Sequence, residues 1–166
     1  LETKFEKGDV PNMVMYDNAK LKMNQLGIAG EKLVSNFFRS LGHTVEESLS
    51  TYDHVKDMIV DGETCEVKTQ QPFHIENAFT MKKNQLTKCR NVDKLIFVEA
   101  PAHDSNTIKI WDVPKEDRKF RTRMTKDGRT MYLLDKGRMD LLDTIEDAVI
   151  VNEMKSFSNS SWKGKN

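Results

Sequence analysis

Asp57-Met58-Ile59-Val60-Asp61-Gly62-Glu63-Thr64-Cys65-Glu66-Val67-Lys68 is the stretch whose reading decides the fold. Val55 to Val60 and Glu63 to Thr69 are short β-prone runs, and the Asp61-Gly62 dipeptide between them is what a two-residue hairpin turn prefers. A tight turn there makes Val60 face Glu63, so Asp57 falls opposite Glu66 and Val55 opposite Lys68. Alternation then sorts the hairpin by face. Asp57, Ile59, Thr64, Glu66 and Lys68 share one side; Met58, Val60, Cys65 and Val67 share the other, the natural core side.

Two carboxylates facing each other across a strand pair repel. A divalent cation between them removes that cost. Magnesium, with manganese able to substitute, suits a shell of carboxylate, backbone carbonyl and water oxygens that phosphate completes. Asp57, Glu66 and the Val67 carbonyl are the candidate ligands. Lys68 projects to the side of Glu66, where an ammonium can orient an attacking water or stabilise the extra negative charge of a phosphoryl transition state. Asp53 shares the parity of Asp57, but four residues of strand displace it by about 13 Å. Because the run after Asp53 is also less strand-like, Asp57 is the preferred ligand and Asp53 its rival.

Working outward from the hairpin, the apolar residues Leu26, Leu33, Val34, Phe37, Phe38 and Leu41 fall at helical spacing over Ala19 to Leu41, with Gly42 as the stop. Residues 1–18 read as an arm. After the hairpin, Phe73 to Phe79 reads as loop and Met81 to Arg90 as a helix with a basic outer face. Lys94 to Glu99 and Thr107 to Val113 read as strands. Phe120 to Met124 and Arg129 to Leu134 flank Lys126-Asp127-Gly128, a second hairpin candidate, and Arg138 to Ala148 resembles a short helix. The end, 156–166, is rich in Ser, Asn, Gly and Lys and reads as a flexible tail. The expectation is one α/β domain over 1–155.

With 166 residues the chain is long enough to close one core without staples. Its 26 Lys and Arg balance 26 Asp and Glu, so attraction to a polyanion must come from local patches. One such patch is 82–94, which contains Lys88; the other is 115–129, where Arg118, Lys119, Arg121 and Arg123 are candidate phosphate contacts. Each has a net charge of +4. A solvated hairpin is the alternative reading of the second. Two cysteines make no disulfide framework, which favours a reducing, intracellular and cytoplasmic setting. No apolar run approaches a membrane span, so no membrane partner is expected.

In the order of its elements the chain resembles the PD-(D/E)xK nuclease superfamily. That pattern places an Asp on one strand and (Asp/Glu)-x-Lys on the next, usually after a helix bearing a Glu. Asp57, Glu66 and Lys68 match the strand positions, and Glu31, after Gly30 in the Ala19 to Leu41 helix, matches the helical acid. The match departs at Lys56, where the motif has Pro. The resemblance implies a central mixed β-sheet flanked by helices, a restriction-endonuclease-like core. It also implies divalent-metal dependence and hydrolysis of phosphodiester bonds in nucleic acid; the expectation is a magnesium-dependent endonuclease with DNA as its partner, and a homodimer as one form of assembly. Glu31 would then bind metal through water or a second ion, and Gln70 and Gln85 would be auxiliary polar residues. The alternative is a catalytically silent nucleic-acid-binding or interaction module that keeps the fold.

Overall fold

The helical spacing around Leu33 and Phe37 is realised in α1, Val10–Ser40. The structure, a computed structural model, describes residues 10–47, 58–73 and 75–157, with side chains from residue 21 onward. Helix α1 therefore takes in residues 10–18, which were expected in the arm. Pro11 does not oppose this, because the amides of a helix's first turn have no intrahelical partner to lose. At the other end Gly42 adopts φ +92°, and the His43 amide reaches back to the Phe38 carbonyl at 3.0 Å, closing the helix in a left-handed cap.

Three antiparallel strands follow: β1 (Val45–Glu47), β2 (Met58–Val60) and β3 (Glu63–Gln70). Asp61 and Gly62 both have positive φ, +50° and +82°, as a type I′ turn requires. Val60 pairs with Glu63, Ile59 with Thr64 and Met58 with Cys65, which is the register that the tight turn predicts. Asp57 and Asp53 lie outside the described residues.

Strand β4 (Ala78–Met81) and helix α2 (Leu86–Asn91) lead to β5 (Lys94–Glu99), which lies parallel to β3. Strand β6 (Ile108–Asp112) is antiparallel to β5. A hairpin of β7 (Arg121–Met124) and β8 (Thr130–Asp135) comes next, then β9 (Asp140–Ile145) and α3 (Ala148–Ser156). Among the described residues the main sheet is mixed, in the order β1-β2-β3-β5-β6-β9, and three helices flank it; a smaller sheet runs β4-β8-β7. The expected α/β class with a central mixed sheet is thus present.

Both faces of the main sheet are covered. Val34 and Phe38 of α1 and Val151 and Met154 of α3 pack with Cys65, Val98 and Ile110 on one face. On the other, Leu86 and Cys89 of α2 and Phe79 and Leu134 of the smaller sheet pack with Leu95 and Phe97. Phe79 and Phe97 stack with ring centroids 4.6 Å apart, seating the smaller sheet on β5. This explains the unbroken apolar run of β5, whose residues 95–98 are all buried.

Three local expectations give way to tertiary context. Ala78 and Phe79, at the end of the stretch expected as loop, are the start of β4, where Ala78, Phe79 and Met81 are buried. The helix expected over Met81 to Arg90 splits into a 3-10 turn at Lys83–Gln85 and α2. The helix expected over Arg138 to Ala148 is instead strand β9, and α3 starts only after Asp147, whose carboxylate accepts the Val149 and Ile150 amides as an N-cap.

Helix α1 approaches β3 closely at Gly30. A Cβ built there would lie 1.7 Å from Thr69 Oγ1 and 2.8 Å from Thr69 Cβ, closer than van der Waals contact allows. Gly30→Ala should therefore push α1 off the sheet and destabilise the protein by about 1–3 kcal/mol. Gly27→Ala is the control: nothing lies within 4 Å of its Cβ, and losing a helical glycine should stabilise by roughly 0.5–1 kcal/mol. Urea melts of the two variants should move in opposite directions. Equal shifts would show that the contact with Thr69 is not tight.

Candidate functional site

Glu66 sits in the middle of β3 on the face covered by α2, in register with Leu95 of β5, and is only 7% exposed. A carboxylate drawn that far from water is costly unless cations and hydrogen bonds replace its hydration. Two ammonium groups do this: Lys68 Nζ lies 2.9 Å from Glu66 Oε2, and Lys88 Nζ lies 3.1 Å from Oε1. Lys68 reaches it because residues two apart on a strand share a face. Lys88 comes from α2. Gln85, three residues earlier and so on the same side of that helical segment, accepts a hydrogen bond from Lys68 Nζ at 2.7 Å. Gln85, expected as an auxiliary residue, thus aims the lysine; Lys88, expected on a nucleic-acid surface, is turned to Glu66.

This quartet carries more positive than negative charge, backed by the apolar side chains of Leu95 and Phe97. In such surroundings charge interactions are stronger than in water. The arrangement can attract an anion over the lysines while keeping a carboxylate beneath them.

Of the expected metal ligands, the described residues supply the carboxylate of Glu66 and the carbonyl of Val67. Glu66 offers two carboxylate oxygens that already attract positive charge, and the second expected acid, Asp57, lies outside the described residues. Among the described residues no group of three or more His, Cys, Asp or Glu is gathered at metal-binding spacing. Val67 points its side chain to the α1 face, as its parity predicts. Glu31 is half-buried on α1, the helix that covers the face opposite to Glu66 and Lys68.

Comparison with protein family models, curated proteins and solved structures finds no match.

Gln70, expected as an auxiliary polar residue, is otherwise employed. Its side-chain Oε1 accepts the Thr80 amide at 2.8 Å and its Nε2 donates to the Thr80 carbonyl at 2.9 Å, so the amide group mimics a strand and clips β3 to β4. The expected phosphate-tracking arginines are also largely committed inside the fold. Arg118 is buried and donates to the carbonyls of Val113, Cys89, Arg90, Val92 and Asp93. Arg121 forms a forked pair with Asp135 at 2.8–3.0 Å and also meets Glu76 at 2.9 Å. Arg123 pairs with Glu76 and lies over the Phe73 ring. These guanidinium groups hold the Glu76 and Asp135 carboxyls below their ordinary values. Lys119 is exposed.

The two thiols take no part in this chemistry. Burial pushes Cys65 up to about 12 and Cys89 up to about 11, so both stay protonated at neutral pH and neither is a thiolate ligand or nucleophile. The contact of Lys88 with Glu66 had one signal in the sequence, the three-residue spacing of Gln85 and Lys88 on a helical segment. The buried role of Arg118 had none, because its surroundings, Lys115 to Arg123, read as a solvated charged run. Among the described residues no helix is long and apolar enough to cross a membrane.

Proposed function

We propose that the protein is a metal-dependent nuclease that hydrolyses phosphodiester bonds in DNA, acting as an endonuclease. The observation that carries this reading is the quartet: a buried glutamate and a lysine two residues apart on a central strand, with the lysine aimed by Gln85. The order of elements also supports it, since a helix bearing Glu31 precedes a strand pair that leads into Glu66-x-Lys68 in a mixed sheet.

In this reading Glu66, with Asp57 and the Val67 carbonyl, would hold magnesium, which when bound lowers the charge on phosphate oxygens and acidifies water. Manganese would substitute; Glu31, on the helix across the sheet from Glu66, is left out of this metal's shell. Lys68 presents its ammonium where the phosphate gains charge, and Gln85 fixes the direction of that ammonium so that little reorganisation is needed. The apolar backing from Leu95 and Phe97 keeps competing water away.

The experiment is incubation of the full chain with supercoiled plasmid, single strands and branched duplexes, each with magnesium or with chelator. Nicking or cutting that requires magnesium is the expected result. Magnesium binding by calorimetry with no cleavage of any substrate would instead favour the silent binding module, and absence of both would overturn the reading.

A further inference from the structure

We infer that the solvent face of the segment from Lys82 to Asn91 is a docking surface for the phosphodiester backbone of nucleic acid, with Lys82, Lys83 and Arg90 as its cationic contacts. This goes beyond the nuclease reading and does not depend on it, since it requires neither bound metal nor cleavage.

The 3-10 turn Lys83–Gln85 and helix α2 that follows it have an inner and an outer side. Leu86 and Cys89 are buried in the core, and Gln85 and Lys88 reach Lys68 and Glu66. Lys82, Lys83, Asn84, Thr87, Arg90 and Asn91 are exposed. Each of these six side chains can donate a hydrogen bond to a phosphate oxygen. None is acidic, and from Asn77 to Val92 the sequence has no Asp or Glu. Seven residues separate Lys83 from Arg90. On a helix that is ~10 Å, over which one strand of a duplex presents about three phosphates.

The fold does not use the charge of these cations. Among the described residues, Arg39, Arg121, Arg123, Arg129 and Arg138 each meet a carboxylate, and Arg118 meets carbonyls. The Arg90 guanidinium meets neither: it lies over the Phe120 ring, 5.2 Å from the centroid. Stacking restrains a guanidinium while leaving its N–H groups free to fork onto phosphate. Phe120 is itself held near α2 by Arg118, whose guanidinium binds the Cys89, Arg90 and Val92 carbonyls. Lys82 and Lys83 meet no carboxylate among the described residues. Adjacent like charges repel in the free protein, and a polyanion removes that cost. A lipid surface would call for apolar side chains interleaved with the cations, and all six exposed positions are polar.

The test is fluorescence anisotropy of labelled duplex DNA, and of a duplex RNA of equal length, titrated with the full chain in chelator over a series of salt concentrations. Chelator prevents metal-dependent turnover, and the two duplexes show which backbone the surface takes. Changing Lys82, Lys83 and Arg90 together to Gln should lower the slope of log affinity against log salt by about three, and affinity at low salt by about tenfold or more. Lys82→Gln with Lys83→Gln, which keeps Arg90 on Phe120, guards against local loosening and should lower the slope by about two. Lys126→Gln, an exposed lysine in the turn of the β7–β8 hairpin, is the control and should leave the slope unchanged. Thermal melts of all three should lie close to wild type, because the changed side chains are exposed. An unchanged slope in both multiple variants would overturn this inference alone, as would binding to anionic phospholipid vesicles but to neither duplex. Binding that follows the expected slopes, with no cleavage in magnesium, would uphold it and count against the nuclease reading.

Discussion

Lys68→Ala should cut plasmid cleavage by about 10²–10³-fold or more, the usual effect of removing one group that stabilises transition-state charge, while magnesium binding and the fold survive. The fold should survive because Glu66 keeps Lys88 on its other oxygen at 3.1 Å, so the buried carboxylate is not left without a cation. Its neighbours Leu95 and Phe97 belong to the core and do not depend on the lysine. Stability should therefore change little, within about 1 kcal/mol. Gln85→Ala should lower turnover less than Lys68→Ala, since it leaves the ammonium present but no longer aimed. Arginine is not an equivalent replacement, because a planar guanidinium does not place a point charge where an ammonium does. The measurement is the rate of loss of supercoiled plasmid under saturating magnesium, alongside a thermal melt. Turnover near that of wild type in Lys68→Ala would remove the lysine from the chemistry, and with it the functional reading of the quartet.

Arg118→Ala should be the most destabilising single change outside the apolar core, by about 3 kcal/mol or more. Cys89 and Arg90 lie in the last turn of α2, where carbonyls have no intrahelical partner. The Val92 and Asp93 carbonyls follow immediately, and that of Val113 closes the end of β6. One guanidinium satisfies all of these, and burial lowers its pKa only against a base value so high that it remains charged at neutral pH. It therefore also offsets the negative end of the helix dipole. Lysine has a single nitrogen and cannot span the fan of acceptors, so Arg118→Lys should recover only part of the loss. Urea unfolding of the two variants at neutral pH checks this. A loss below about 1 kcal/mol in Arg118→Ala would mean that water replaces the guanidinium without difficulty.

The sequence makes legible what is locally determined. Asp61-Gly62 fixes a turn, the turn fixes the register, and the register places Glu66 and Lys68 on one face; each step involves neighbouring residues. The run from Leu95 to Val98 likewise reads as a buried strand from composition alone. What it hides depends on distant partners. Asp140–Ile145 places apolar residues at spacings that suit a helix as well as a strand, and pairing with β6 decides between them. Gln70 reads as a free amide until β4 is docked beside it. The second core is hidden for the same reason: the face read as polar and functional at Glu66 and Lys68 is, one strand over at Leu95 and Phe97, fully packed.

The parallel pairing of β3 with β5 has a consequence for how the site is assembled in time. The β2–β3 hairpin closes through two turn residues and can form within microseconds, whereas β3 and β5 meet only after the intervening chain, with β4 and α2, has been folded back. Closing that larger loop is the entropically demanding event. Glu66 is thus made early on its strand, but the Lys88 ammonium arrives only when α2 docks. Until then the carboxylate is in water with Lys68 alone, at no desolvation cost. Burial and neutralisation come in the same step, so the chain avoids a collapsed intermediate with an insufficiently paired buried acid. Pulse-labelling hydrogen exchange during refolding should accordingly protect amides of the β2–β3 pairing before those between β3 and β5; simultaneous protection of both would show that the sheet forms in a single event.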